Sequence, residues 1–392
     1  MSDDTGGDAA GPDASTGPDD RGMVAARSAG APLPAGAPSP PPVRARRPVR
    51  RRSFLGRHPW RLLAVVSIVV VVVVAVAGVL WLQSEADPSG GQGAQVLVTV
   101  RDDATVGDVA SLLAEKGVVG SSLALRVWLR LHGTPIIVAG DYAFNKNDTF
   151  ADVKAVLSGS PNVFTLTVPP GFTVSELAER VGQYPGFDAT SFEALADGGT
   201  IRSPWQPVGV TSLEGLLGTG DYRLVPGETE TQLLTAMVDR FTAEANSAGL
   251  TSGAAALGMT PYQVITVASI VEKEGVISAN LGPVARVVYN RLAADMTLDM
   301  DSTVLYAEGR DGGPVTEKDE QTVSPYNTYL NKGLTPTPTC FPSPAALAAA
   351  ISPPPGSWLY FVVVESDGTE AFSDTYAQQQ ANEKLAQQRG LS

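Results

Sequence analysis

The sequence predicts an α+β fold carried on a single N-terminal transmembrane helix, and three observations predict it. Leu62 to Leu82 is a run of about 21 uncharged residues, which as a helix reaches roughly 31 Å, a hydrocarbon thickness. After it, short β-branched stretches alternate with amphipathic segments that open on threonine. Finally, 43% hydrophobic content over 392 residues leaves enough apolar side chains for a sizeable core. Mixed strands and helices without a regular βαβ rhythm indicate α+β.

Residues 1–61 hold almost no large apolar side chain before the arginine-rich flank. Asp, Gly, Ala, Pro and Ser dominate, which predicts a disordered tail. Arg44, Arg46, Arg47, Arg50, Arg51, Arg52, Arg57 and Arg61 crowd the N-terminal side of the 62–82 span, whereas Glu85 and Asp87 come after it. By the positive-inside rule the N-terminus stays cytoplasmic and the rest is exported. A cleavable signal peptide is the rival reading. The apolar stretch exceeds the usual apolar core of a signal peptide, however, and no clear small-residue cleavage site follows Trp81-Leu82-Gln83-Ser84-Glu85.

Residues 1–61 carry net +4, so the chain's −13 leaves −17 for the remainder. Such an acidic body argues against a nucleic-acid partner. Cys340 is the only cysteine, which rules out an internal disulfide, and His58 and His132 are the only histidines. Zinc sites built on several histidines are excluded, and a His-based triad has one candidate far from any nucleophile motif. Neither a metal nor a cofactor is expected, and carboxylate acid/base chemistry is the main class left. His132 itself reads as a surface helix residue.

Beyond a flexible linker at 83–94, a strand followed by a Thr-capped helix occurs twice in full. Val96 to Val100 leads to Thr105-Val106-Gly107-Asp108, and Phe164 to Val168 leads to Thr173-Val174-Ser175-Glu176. A partial third copy runs from Gly140-Asp141-Tyr142 to Thr149-Phe150-Ala151-Asp152. Threonine followed three residues later by an acid is a helix start with favourable charge. These units resemble the LysM-like modules that hold glycan strands. The resemblance makes 95–160 a candidate glycan-binding module.

Within 161–389, helices are expected from Thr173 to about Val181, Thr229 to about Ala245, Thr260 to Glu274 and Val284 to Leu292, with Thr260-Pro261 as a cap and first-turn proline. Trp358 to Val364 reads as a buried strand, followed by a turn at Asp367-Gly368 and a Gln-rich helix after Thr375. Glu274 stands out. At about 100° per residue it lies within about 60° of Val267, Ile270 and Val271, so a carboxyl is expected against apolar neighbours, with a raised pKa suited to a general acid. Glu272 points the other way and is expected to be solvated or ion-paired. The competing reading makes Glu274 itself structural, paired with Arg286 or Arg291.

Four ordered blocks bear on that choice: Ala268-Ser269-Ile270-Val271-Glu272-Lys273-Glu274, Val288-Tyr289-Asn290-Arg291-Leu292, Asp301-Ser302-Thr303-Val304-Leu305-Tyr306, and Ser324-Pro325-Tyr326-Asn327-Thr328-Tyr329 before Gly333-Leu334. On these the chain, from about Gln95 to Arg389, resembles the YceG-like family of endolytic murein transglycosylases, which are single-pass membrane enzymes. The resemblance implies that Glu274 is the catalytic acid/base. It further implies cleavage between N-acetylmuramic acid and N-acetylglucosamine without water, which leaves a 1,6-anhydro end. Peptidoglycan strands would be the substrate, and peptidoglycan synthases are candidate partners.

Glu214 and Asp301 are candidates for stabilising charge or for orienting sugar hydroxyls, and Tyr326, Asn327 and Tyr329 for stacking and amide hydrogen bonds. A packing role competes for each, and Tyr306 and Asn290 read as packing residues. The chain departs from the family pattern at Gly218-Thr219-Gly220-Asp221-Tyr222 and at Thr335 to Phe341-Pro342, which predicts an altered cleft wall. Two other functions compete. One is a non-catalytic glycan-binding scaffold of the same fold; the other is a Ser-Lys acyl hydrolase using Ser269 and Lys273, four apart on one helix face.

Overall fold

The computed structural model describes residues 59–391, so the tail and most of the arginine-rich flank lie outside the described residues. Helix α1 (Pro59–Ala86) extends past both ends of the 62–82 stretch, and among the described residues it is the one helix long and apolar enough by itself to cross a membrane. Its last turn places Leu82 and Ala86 against the core of the next module. The expected flexible linker is instead tied down. Gly93 N–H donates to Lys146 O (2.7 Å), Asn147 Nδ2 to Gly90 O (2.7 Å) and Gln92 Nε2 to Asp148 Oδ1 (2.9 Å). Glycines that make a free chain flexible also let its backbone approach a neighbour closely enough to bond.

Beyond the linker, one plan is used twice. The first module is β1 (Gln95–Val100), α2 (Val106–Glu115), α3 (Ser122–His132), β2 (Gly140–Asn145) and α4 (Phe150–Ser158); the second is β3 (Phe164–Val168), α5 (Val174–Val181), α6 (Ala189–Asp197), β4 (Gly220–Leu224) and α7 (Glu230–Ser247). β1 pairs antiparallel with β2 and β3 with β4, in matching registers: Thr99 opposes Asp141, and Thr167 opposes Asp221. Each threonine hydroxyl donates to its opposing aspartate, at 2.5 and 2.7 Å.

The likeness extends to single atoms. Gly140-Asp141-Tyr142 and Gly220-Asp221-Tyr222 begin β2 and β4, and each tyrosine hydroxyl donates to the carbonyl four residues before it (2.8 and 2.6 Å). Both strands end in a turn with positive φ, at Asn147 (63°) and Gly227 (80°), closed by an acid that accepts a backbone N–H: Asn145 to Asp148 and Val225 to Glu228. A Thr-capped helix comes after each turn, from Thr149 and Thr229. The caps at Thr105, Thr173 and Thr229 are full capping boxes, each stabilising its helix by about 1 kcal/mol. Gly218 to Tyr222, expected as a divergent loop, therefore leads into a paired strand.

Each module buries its own apolar cluster, around Leu113, Leu125, Tyr142 and Phe150 in the first and Leu166, Leu177, Phe192 and Met237 in the second. A third, larger cluster is helical. α8 (Leu250–Leu257), α9 (Pro261–Glu274), α10 (Ser278–Ala293) and α12 (Pro344–Ile351) pack around Val264, Ile270, Val284 and Leu347. α10 starts earlier than expected and keeps Pro283 near its N-terminus. α11 (Asp301–Ala307) lies against α9.

The chain ends in a half-buried antiparallel pair, β5 (Tyr360–Val363) and β6 (Glu370–Ser373), covered by α13 (Tyr376–Gln388). Arg291, 7% exposed, holds this end to the core by donating to the carbonyls of Leu359 (2.6 Å) and Leu298 (2.7 Å). The overall class is mixed α+β, built from three two-stranded sheets among the described residues.

Candidate active site

α9 is buried on every side from Val264 to Val271, because it is apolar all round. The facial argument that set Glu274 apart from Glu272 therefore does not hold. Both carboxylates are half-buried, and Glu272, expected to be solvated or ion-paired, accepts the Ser343 N–H at 2.8 Å. What distinguishes Glu274 is the place where α9 ends: Gly275 stops the helix, and the Glu274 carboxyl meets the first turn of α11, where Ser302 N–H donates to its Oε1 at 3.1 Å.

No cation pairs with Glu274 among the described residues. Arg286 donates to the carbonyls of Pro353 and Pro354, and Arg291 to those named above and to Asp299. The structural ion-pair reading thus loses both of its partners. Burial pushes the Glu274 carboxyl above its ordinary value; the hydrogen bonding of Ser302 and, without contact, the charge of Arg291 work against that shift, and the nearby Asp301 charge adds to it.

Glu274 opens onto a cavity of 850 Å³, within the range of ligand sites. Its walls come from α5 and α6, from the loop bearing Ser212 and Glu214, from α11, and from the segments at 309–312 and 324–326. Glu214 is 4% exposed. Its Oε2 accepts the Val174 N–H (3.1 Å) and the Tyr306 hydroxyl (3.4 Å), while its Oε1 has no partner. Desolvation pushes its pKa up to about 8 against those hydrogen bonds, and the charge of Asp197 adds to the rise. The loop is fixed at Gly215, whose φ is +74° and where any Cβ would overlap the ring of Pro338.

The remaining predicted residues divide. Asp301 lines the cavity and accepts the Tyr329 hydroxyl at 2.6 Å, so Tyr329 acts on the cavity through Asp301 and is not part of its wall. Tyr326 lines it, packed on Tyr306 (4.9 Å between rings) with its hydroxyl bonded to Thr337 Oγ1 at 2.9 Å. Asn327 lies outside the wall. It is fully buried, donating to the carbonyls of Glu320 and Thr322 and accepting from Tyr329 N–H, so its amide closes a loop and has no donor left for a sugar.

Tyr306, read from sequence as packing, is a cavity residue as well; Asn290 is indeed a tie, donating to the carbonyls of Gly356 and Trp358. Of the two divergent segments, only the second reaches the cavity, through Thr339. Glu179, Glu193 and Asp197 also line it and had no sequence signal beyond their charge. No group of three or more His, Cys, Asp or Glu side chains among the described residues could hold a metal ion.

Ser269 and Lys273 do not form a dyad. Lys273 Nζ binds Asp311 at 2.7 Å, while the fully buried Ser269 hydroxyl donates to Thr266 O (2.8 Å) and accepts Thr339 N–H (3.0 Å). Ser269→Ala leaves that buried N–H without a partner. Chemical denaturation should show a loss of about 1–3 kcal/mol, with turnover at permissive temperature retained. Loss of turnover in a folded variant would instead revive the acyl-hydrolase reading.

Residues 98–385 match the model of the YceG-like family. The chain belongs to the YceG-like family. It is 28% identical over 296 residues to the endolytic murein transglycosylase of Bacillus subtilis (strain 168), covering 71% of this chain and 81% of that protein. The endolytic murein transglycosylase of Streptococcus pneumoniae serotype 2 is 28% identical over 304 residues, covering 70% of this chain; the YceG-like chain spans 55% of that longer relative. Among solved structures, a 2.6 Å crystal structure of a yceG-like protein from Listeria monocytogenes is 26% identical, covers 74% of this chain and 99% of its own, and superposes with a TM-score of 0.49.

Proposed function

We propose that this YceG-like chain is a membrane-anchored endolytic peptidoglycan lytic transglycosylase. It cuts nascent strands between N-acetylmuramic acid and N-acetylglucosamine, leaves a 1,6-anhydro end and so terminates strand elongation. The observation that carries this reading is Glu274: a carboxyl with no ion pair among the described residues, its pKa raised by burial, at the mouth of an 850 Å³ cavity. The names of the Bacillus and Streptococcus relatives point the same way.

One carboxyl is enough for the chemistry. Protonated Glu274 gives its proton to the glycosidic oxygen of the departing N-acetylglucosamine as the bond to the muramoyl anomeric carbon breaks. The resulting carboxylate then takes the proton of the muramoyl 6-hydroxyl as that oxygen closes on the same carbon. The proton returns to Glu274 and no water enters. Because the substrate supplies the nucleophile, a second catalytic carboxylate is not required. Glu214 and Tyr326 are assigned to holding sugar hydroxyls, and Asp301 to stabilising the positive charge that develops at the anomeric carbon.

We assign the unit at 95–160, whose strand-helix pattern in the sequence resembles LysM-like modules, to holding the strand outside the cavity. The arginine flank orients α1 with its N-terminus cytoplasmic, so that 161–389 acts as the catalytic domain outside the membrane, near the synthases that make its substrate.

The test is to digest isolated sacculi with the full chain in detergent in heavy-oxygen water. The expected product is an anhydro-ended muropeptide with no heavy oxygen at the new end. Incorporation of heavy oxygen would establish a hydrolase and overturn the proposed step, whereas binding without any product would favour the scaffold reading.

A further inference from the structure

Helix α3 is apolar on two sides at once. One side buries Ala124, Leu125 and Leu129 in the core of the first module. On the other, Leu123, Val127 and Leu131 stand four residues apart, within an arc of about 80°, and all three are exposed, Leu131 by 70%. Ile136 (89%) and Val138, just beyond the helix, are exposed as well. Outside α1 the described residues expose twelve large apolar side chains, and these five fall between 123 and 138 while the others are scattered from Leu97 to Tyr376. A helix with water on its outer side carries polar residues there, so this side has something to cover it.

Charge sets the same stretch apart. Ser121 to Gly140 holds Arg126, Arg130 and His132 and no acid, although the chain after residue 61 has a net charge of −17. Both arginines lie within about 60° of Leu123, along one border of the exposed stripe, and neither forms an ion pair among the described residues. Leucine and valine bordered by arginine, with Trp128 in the same helix, suit the boundary between lipid headgroups and acyl chains. There the apolar side chains are buried and the long arginines reach phosphate.

The fold sets this helix beside the end of α1. Leu82 and Ala86 pack into the core that α3 helps to form. Gly120, next to the α3 cap Ser121, lies so near Glu85 that a Cβ there would overlap its carboxylate. Glu85 comes three residues after Leu82, about 4.5 Å along the helix, which is still within headgroup depth. The bonds of Gly90, Gln92 and Gly93 to Asn147, Asp148 and Lys146 hold the first module at that point. With α1 across the bilayer, α3 starts at the lipid surface, and its exposed apolar side continues the one that α1 presents to the acyl chains.

We propose that α3 and the chain to Val138 lie on the bilayer surface where α1 leaves it, the exposed apolar side chains entering the lipid boundary and Arg126 and Arg130 meeting lipid phosphates. This rests on α1 being the membrane anchor. A single span leaves the body attached to it free to turn and tilt. The second contact removes that freedom and holds the first module at one angle and one height above the lipid.

The test uses the full chain in vesicles of phosphatidylcholine and phosphatidylglycerol that carry a nitroxide quencher near the headgroup end of the acyl chain. A fluorophore is attached in turn to Leu131→Cys, Ile136→Cys, Leu80→Cys in α1 and Thr235→Cys on the exposed side of α7; Cys340 is fully buried and stays unlabelled. The probes at 131 and 136 should lose at least half of their fluorescence, as the probe at 80 does, and the probe at 235 almost none. Adding Leu123→Asp and Val127→Asp, both at exposed positions, should release the probe at 131 while the melting temperature is kept. Quenching at 80 but not at 131 or 136 would leave the anchor standing and overturn this proposal. No quenching at 80 would remove the anchor and the proposal with it, and equal quenching of all four probes would overturn the proposal as non-specific contact. If the probe at 131 is shielded from aqueous iodide without being quenched by lipid, the face is covered by a second copy of the chain; if it is shielded only on addition of glycan strands, the face belongs to the strand. Either result also overturns the proposal.

Discussion

Glu274→Gln is expected to reduce formation of anhydro ends by roughly 10²–10⁴-fold or more, the range associated with loss of a general acid or base. The upper end applies because the proposed step uses the same carboxyl twice, once to protonate the leaving oxygen and once to deprotonate the attacking one. Glutamine can do neither. It can, however, accept the Ser302 N–H with its amide oxygen, and no ion pair is broken, so the fold should be preserved. Strand binding should also persist, placing the loss in kcat and not in KM.

Digesting sacculi with wild type and variant at equal concentration, with mass spectrometry of the released muropeptides, checks this. Equal product from the two proteins would remove Glu274 from the mechanism. The pH profile gives an independent readout: because burial raises the Glu274 pKa, the protonated form needed to start the cycle persists above the usual carboxylate range, and wild-type activity should decline on the alkaline side. Residual activity of the variant should not show that limb.

How much of the fold and site was legible in the sequence depended on the range of the interactions involved. The Thr-capped helices were legible because a capping box is written within four residues, and α5 and α9 lie where their caps put them. The pairing of β1 with β2 was not, since it joins segments some forty residues apart, and the fourth strand, β4, was masked because Gly218 to Tyr222 was compared with a family loop and not with Gly140-Asp141-Tyr142 in the same chain. α6, α8, α11 and α12 are short and rich in small residues, so their apolar period is weak.

At the site, Glu274 was found for a reason that only half applies: its surroundings are apolar, but so is the whole helix, and the end of α9 against α11 decides the matter. Asn327 was misplaced because amide chemistry suits a sugar and a backbone carbonyl equally, and sequence does not say which is within reach. Glu179, Glu193 and Asp197 were invisible as cavity residues because they come to line one cavity only when α5 and α6 pack together.

Glu214→Gln is expected to stabilise the chain at alkaline pH and to leave it nearly unchanged near pH 4.5. A carboxyl whose folded pKa is about 8 and whose ordinary value is 4.5 is protonated in both states at low pH, where it makes no difference. Between those values the unfolded chain loses the proton and the folded chain keeps it, so folding becomes less favourable as pH rises, by up to about 5 kcal/mol at pH 8 if the whole shift is expressed. Glutamine removes that penalty while its amide oxygen still accepts the Val174 N–H. The stability difference, variant minus wild type, should therefore rise across the window from about pH 4.5 to pH 8 and level off above it. Glu274 and Glu370, whose pKa values are also raised, titrate in both proteins and cancel from the difference. Denaturant unfolding at several pH values measures it, and a difference independent of pH would show that Glu214 is not held neutral. A glutamine that fits the same site more stably raises the question of why a carboxyl stands there, and the cavity supplies the reason. Catalytic and binding sites retain groups that the fold alone would discard, so the same substitution should weaken strand binding while it strengthens the fold.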